Sequence, residues 1–92
     1  MNVPNPVAIG PVQIGNGRPL ALIAGPCVME PDDMSRRIAD RLVEICTDLK
    51  IPLIFKASFD KANRSSGSSY RGPGLEAGME IFRKIKADTG LP

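Results

Sequence analysis

Two short apolar runs, LALIA at 20–24 and IPLIF at 51–55, stand on either side of a stretch whose apolar residues recur every three or four positions. That change of period constrains the fold more than any other feature of the chain. A five-residue run ended by Gly25-Pro26 suits a strand buried on both faces, as in a parallel sheet. Between the runs, Met34, Ile38, Leu42, Ile45, Cys46 and Leu49 fall on one face of a helix. Pro31 at its first position, Asp32 and Asp33 in its first turn and Lys50 at its end agree with that helix. Two parallel strands need such a crossover, and its expected hand is right-handed.

The flanks complete the pattern. Val7 and Ile9 alternate with small residues, Gly10-Pro11 interrupts, and Val12 and Ile14 resume before Gly15-Asn16-Gly17, which predicts a short β-hairpin. After IPLIF and a polar stretch, RGPGLE opens a second helix. In it Leu75, Met79, Phe82 and Ile85 share one side, Glu80 can pair with Lys84 at i, i+4, and Gly90 and Pro92 end it. The predicted order is hairpin (1–17), then two βα units (18–92), within a single domain. This is α/β architecture, the N-terminal portion of a (β/α)8 barrel. A whole barrel takes about 250 residues, and TGLP at the end is where a third strand should begin, so a truncated sequence is the expectation.

Charge sharpens the question of function. The chain carries 12 basic and 10 acidic residues, but residues 56–71 alone sum to +3 and the remainder to −1. Positive charge gathered in one short segment fits a small anionic ligand better than nucleic acid. No apolar run exceeds five residues, far short of a membrane span, and MNVPNPVAIG lacks the basic start and apolar stretch of a signal peptide. A cytoplasmic protein with no membrane or nucleic-acid partner is expected, its two cysteines reduced and with separate roles.

In parallel α/β folds the loops at the C-terminal ends of strands carry the chemistry, and two unusual features fall there. The first is KASFDKANRSSGSSYRG, residues 56–72. Lys56, Lys61 and Arg64, helped by Ser58, Ser65 and Asn63, can grip phosphate or carboxylate, Arg as a planar fork and Lys as a point charge. The alternative is a solvated surface loop. A lysine directly after a buried strand has little room to escape to solvent, which favours the binding reading. The second feature is Cys27 in a Gly-Pro-Cys turn. The chain has no histidine to activate it and no partner ligands for a metal, so a small buried side chain is the simpler account. Cys46, on the apolar helix face, packs in the core. Glu30 is a helix-start residue, RGPGLE could offer helix N–H groups to an anion or simply turn into the helix, and the role of Arg71 stays open.

IAGPCVME followed by FKASFDKANRSSGSSYRGPGLEAGMEIF resembles the N-terminal part of the 3-deoxy-D-manno-octulosonate 8-phosphate (KDO-8-phosphate) synthase family. The similarity runs through essentially the whole chain. AGPC is shared with sibling synthases that make 3-deoxy-heptulosonate 7-phosphate or sialic acid, whereas KANRSS separates them. The resemblance implies a (β/α)8 barrel, usually a homotetramer, and a transferase of lipopolysaccharide biosynthesis that condenses phosphoenolpyruvate with arabinose 5-phosphate. It implies that Lys56, Ser58 and Lys61 hold phosphoenolpyruvate and that Asn63, Arg64 and Ser65 hold arabinose 5-phosphate, with Lys61 and Asn63 catalytic. It also implies that Cys27 binds a divalent metal ion, as in the metal-dependent branch, with a histidine and two carboxylates from later strands completing the set. This reverses the packing account of Cys27. Gly67 to Tyr70 are assigned no contact. A non-catalytic sugar-phosphate-binding module and the heptulosonate synthase are the competing readings.

Overall fold

The computed structural model describes residues 5–60 and 70–92. Val7–Ile9 (β1) and Val12–Ile14 (β2) pair antiparallel, Ile9 opposite Val12, so the link is the two residues Gly10-Pro11. Gly10 has φ 56°, a left-handed conformation that glycine adopts without steric cost. Leu22–Ala24 (β3) and Leu53–Phe55 (β4) pair in parallel, Leu22 beside Leu53 and Ala24 beside Phe55. Asp32–Leu49 (α1) joins them and Leu75–Thr89 (α2) follows β4. The hairpin and the two successive βα units therefore stand as the periodicity predicts.

Helix ends are set locally. Pro31 is extended (φ −50°, ψ 154°) and precedes α1 instead of opening it, while Asp32 and Asp33 occupy the first turn as expected. At the other end Lys50 is left-handed, and its N–H and that of Ile51 bond the carbonyls of Thr47 and Cys46, closing the last turn. Gly90 does the same for α2 at less steric cost.

The core gathers Met29, Ala39, Phe55, Ile81 and Ile85, with Ile38, Leu42, Ala57, Phe82 and Leu91 packed against it. Phe55 meets Phe82 edge to face, ring centres 6.3 Å apart, the arrangement aromatic quadrupoles favour. Across the helices Lys84 reaches Asp32 at 2.7 Å and Arg36 bonds Asp88 through Nε at 3.0 Å.

Four expectations are corrected. Lys84 crosses to Asp32, and Glu80 pairs instead with Arg83. The buried stripe of α1 is Ser35, Ala39 and Cys46, while Met34, Ile45 and Leu49 are exposed. On α2, Gly78, Ile81 and Ile85 are buried and Leu75 and Met79 are exposed. The rest of each predicted face holds: Ile38 and Leu42 on α1 and Phe82 on α2 pack against the core, and Cys46 and Ile85 are buried. Finally, β4 is buried throughout but β3 is not: Ile23 is 57% exposed.

Candidate functional site

The site is the rim at the C-terminal ends of β3 and β4, where the chain leaves both strands on the same side. Pairing continues past the strands: the Lys56 N–H donates to the Ala24 carbonyl at 3.0 Å, Val28 bridges Ser58 in parallel, and the Met29 N–H donates to the Ser58 carbonyl at 2.7 Å. The loop bearing Cys27 and the segment bearing Lys56 and Ser58 thus run side by side. Gly25 makes this possible, since a Cβ there would lie 1.8 Å from the Lys56 carbonyl oxygen. No side chain fits in that gap.

Beneath the rim, Ser35 of α1 is fully buried; its hydroxyl donates to the Glu30 carbonyl at 2.7 Å and lies 3.1 Å from the Met29 sulfur. A buried hydroxyl without a partner would be costly, so this bond fixes the turn from β3 into α1. Residues 70–74 are also tied to the rim. The Tyr70 hydroxyl donates to the Met29 carbonyl at 2.9 Å, Arg71 grips both oxygens of Asp60 at 3.1 and 3.2 Å, and the Gly74 N–H donates to the Phe59 carbonyl at 3.0 Å. Gly72, at φ 112°, lies so close that a Cβ would stand 2.4 Å from the Phe59 carbonyl oxygen. The RGPGLE turn therefore gives one of its N–H groups to Phe59.

Of the residues singled out in the sequence, the structure brings Cys27, Lys56 and Ser58 to this rim. Cys27 is exposed, which overturns its reading as a small buried side chain; Cys46 is buried as expected. Lys56 is exposed too, so the expectation that a lysine directly after a buried strand has little room to reach solvent does not hold. Ser58 is half-buried. Lys61, Asn63, Arg64 and Ser65 lie outside the described residues. Arg71, left open above, belongs to Asp60. Tyr70 and Asp60 carry rim contacts that sequence reasoning missed. The signal was faint: the chain's one tyrosine, and opposite charges placed on either side of the basic motif.

Both partners of the Asp60–Arg71 pair are about half exposed, with side-chain accessibilities of 45% and 54%. Such pairs contribute roughly 0–1 kcal/mol, so its value to the rim is geometric. Electrostatic shifts occur on the helices: the hydrogen bond from Arg83 holds the Glu80 carboxyl below its usual range, and the bond to Asp88 raises Arg36. Among the described residues no three His, Cys, Asp or Glu side chains gather where a metal could sit. The exposed Cys27 offers a single soft donor, which fits one position of a larger ligand set and no more. No helix among the described residues is long and apolar enough to cross a membrane.

Residues 4–92 match the family described as the DAHP synthetase I family. The chain belongs to that family. Among its relatives, a protein of Geotalea uraniireducens (strain Rf4) is 54% identical over 86 residues, and one of Geobacter metallireducens (strain ATCC 53774 / DSM 7210 / GS-15) is 56% identical over 86. One of Pelobacter propionicus (strain DSM 2379 / NBRC 103807 / OttBd1) is 56% identical over 85. All three are named 2-dehydro-3-deoxyphosphooctonate aldolase, an alternative name for the KDO-8-phosphate synthase that the sequence resembles. The matches cover 92–94% of this chain but 31–32% of each relative, so the chain spans about a third of their length. Two strands paired in parallel, each followed by a helix, are consistent with part of a barrel-type α/β domain.

Proposed function

We propose that this chain contributes the phosphoenolpyruvate-binding part of a KDO-8-phosphate synthase, a (β/α)8 barrel acting as a cytoplasmic homotetramer. The observation that carries the reading is the joining of the Cys27 loop to the Lys56–Ser58 segment through the Val28–Ser58 bridge and the Met29–Ser58 hydrogen bond. It sets a thiol, a cation and a hydroxyl on one rim, and the names of the relatives supply the reaction class.

In the proposed reaction, C3 of phosphoenolpyruvate adds to the aldehyde carbon of arabinose 5-phosphate, water enters at C2, and phosphate leaves by C–O cleavage. Two anionic reactants repel one another, so fixed cations must neutralise each before they can meet. Lys56, Ser58 and Lys61 would hold phosphoenolpyruvate, and Asn63, Arg64 and Ser65 the pentose phosphate, with Lys61 and Asn63 nearest the reacting atoms. A divalent ion held in part by the Cys27 thiolate would supply Lewis acidity or orient water.

The test replaces the matching stretch of the Geobacter metallireducens relative with residues 4–92. Phosphate release from phosphoenolpyruvate should require arabinose 5-phosphate, and Lys61→Ala should slow it by about a hundred-fold or more, as loss of one transition-state contact does. Equal rates would remove Lys61 from the chemistry. Turnover with erythrose 4-phosphate instead would favour the heptulosonate synthase, a reading kept in view by the family's own description. Binding of arabinose 5-phosphate without turnover would favour the non-catalytic module. Bound metal should fall in Cys27→Asn; unchanged metal content would remove Cys27 as a ligand.

A further inference from the structure

Residues 59–60 and 70–74 are joined at the rim by several independent contacts. Phe59 and Asp60, leaving β4, are tied to residues 71–74 by the Asp60–Arg71 ion pair, by the Gly74 N–H on the Phe59 carbonyl, and by the close seat of Gly72. Gly78 adds a fourth contact, since a Cβ there would stand 2.9 Å from the Phe59 Cβ. Tyr70 extends the fastening to the other loop, because its hydroxyl bonds the carbonyl of Met29, the residue whose N–H is bonded to Ser58. Met29 is thus held at both its N–H and its carbonyl, by Ser58 on β4's exit and by Tyr70.

We propose that Asp60, Tyr70 and Arg71 are positioning residues: a clasp that holds the Cys27–Met29 loop in register with Lys56 and Ser58, so that the rim is already set when an anionic ligand arrives. None of the three needs to touch that ligand. The geometry argues against a merely stabilising role, since an ion pair so exposed adds little to folding and the Tyr70 hydroxyl bonds a backbone carbonyl on a separate loop. What the clasp does is restrict relative motion of two loops, and a site ordered beforehand binds more tightly than one ordered by its ligand. Its ligand side rests on the phosphoenolpyruvate reading above.

The experiment uses the chimera described above, in which residues 4–92 replace the matching stretch of the Geobacter metallireducens relative, with two readouts: backbone amide exchange and titration with phosphoenolpyruvate. In Tyr70→Phe and Arg71→Ala the amides of Met29 and Gly74 should exchange about ten-fold faster, while those of the middle of α1 change less than about two-fold, the signature of local opening. Phosphoenolpyruvate should bind about ten-fold more weakly, consistent with loss of preorganisation. The double exchange Asp60→Arg with Arg71→Asp should recover most of both. Unchanged exchange at Met29 and Gly74 would overturn the clasp, as would acceleration shared equally by the α1 amides, which would make these residues ordinary contributors to global stability. If the parent chimera binds no phosphoenolpyruvate, the ligand reading falls and the exchange data alone decide the clasp.

Discussion

β3 and β4 are near twins in sequence and register but opposites in environment. Both are short apolar strands, paired residue for residue, yet all three residues of β4 are buried while Leu22 and Ile23 of β3 are exposed. The difference lies in neighbours. β4 has β3 on one edge and, on the other, the Pro92 carbonyl accepting the Phe55 N–H at 2.9 Å, with the side chains of both helices over it. β3 pairs with β4 alone among the described residues. An apolar run therefore records what a strand can tolerate, and the surrounding elements decide how much of it is covered.

The sharpest test is to truncate one residue on each strand. Phe55→Ala removes the ring that joins sheet to α2 and should cost about 3–5 kcal/mol, against a total stability of roughly 5–15 kcal/mol for small domains. Ile23→Ala should cost under about 1 kcal/mol, because little is lost from a side chain already in water. Thermal or urea unfolding measures both, and similar losses at the two positions would mean that β3 is covered in solution. Next in size is the contact between the strands' exits. Gly25→Ala should destabilise by about 1–3 kcal/mol or more, since the added methyl meets backbone that has no rotamer to yield; an unchanged melting temperature would mean that the exits lie further apart.

Smaller effects test whether the helices contribute equally to the contrast. Lys50→Gly should stabilise by about 0.5–1 kcal/mol, by relieving a side chain held at φ 57°, whereas Gly90→Ala at the matching place on α2 should destabilise by a similar amount. The smallest effect concerns Glu80. Its carboxyl is held below its ordinary value of 4.5 by the Arg83 hydrogen bond, so any contribution is present above that value and disappears as pH falls through the depressed one. Melting curves of the parent and Glu80→Gln should differ slightly near neutrality and converge in acid; divergence in acid would reverse the sign of the interaction.

The hairpin, both helices and both strands were legible because each has a period or a turn that depends on near neighbours in the chain. Helix rotation was legible in part: Ile38, Leu42 and Cys46 on α1 and Phe82 and Ile85 on α2 turn to the core as expected. Met34 and Leu49 were expected inward because they are large and apolar, but they lie at the ends of the stripe and are exposed, while Ser35, Ala39 and Gly78 are buried. At the rim, Cys27, Lys56 and Ser58 were legible from strand ends and from resemblance. The Tyr70–Met29 and Asp60–Arg71 contacts were not, because they join residues through space at separations that no periodicity encodes.

Gly25 has one further implication. Sliding β3 along β4 by one pleat would bring Ile23 or Cys27 opposite the Lys56 carbonyl, where there is no volume for a side chain. The register in which the two strand exits run side by side is consequently dictated by exclusion, and ionic strength or acidity, which tune attractions, leave such a mechanical stop untouched.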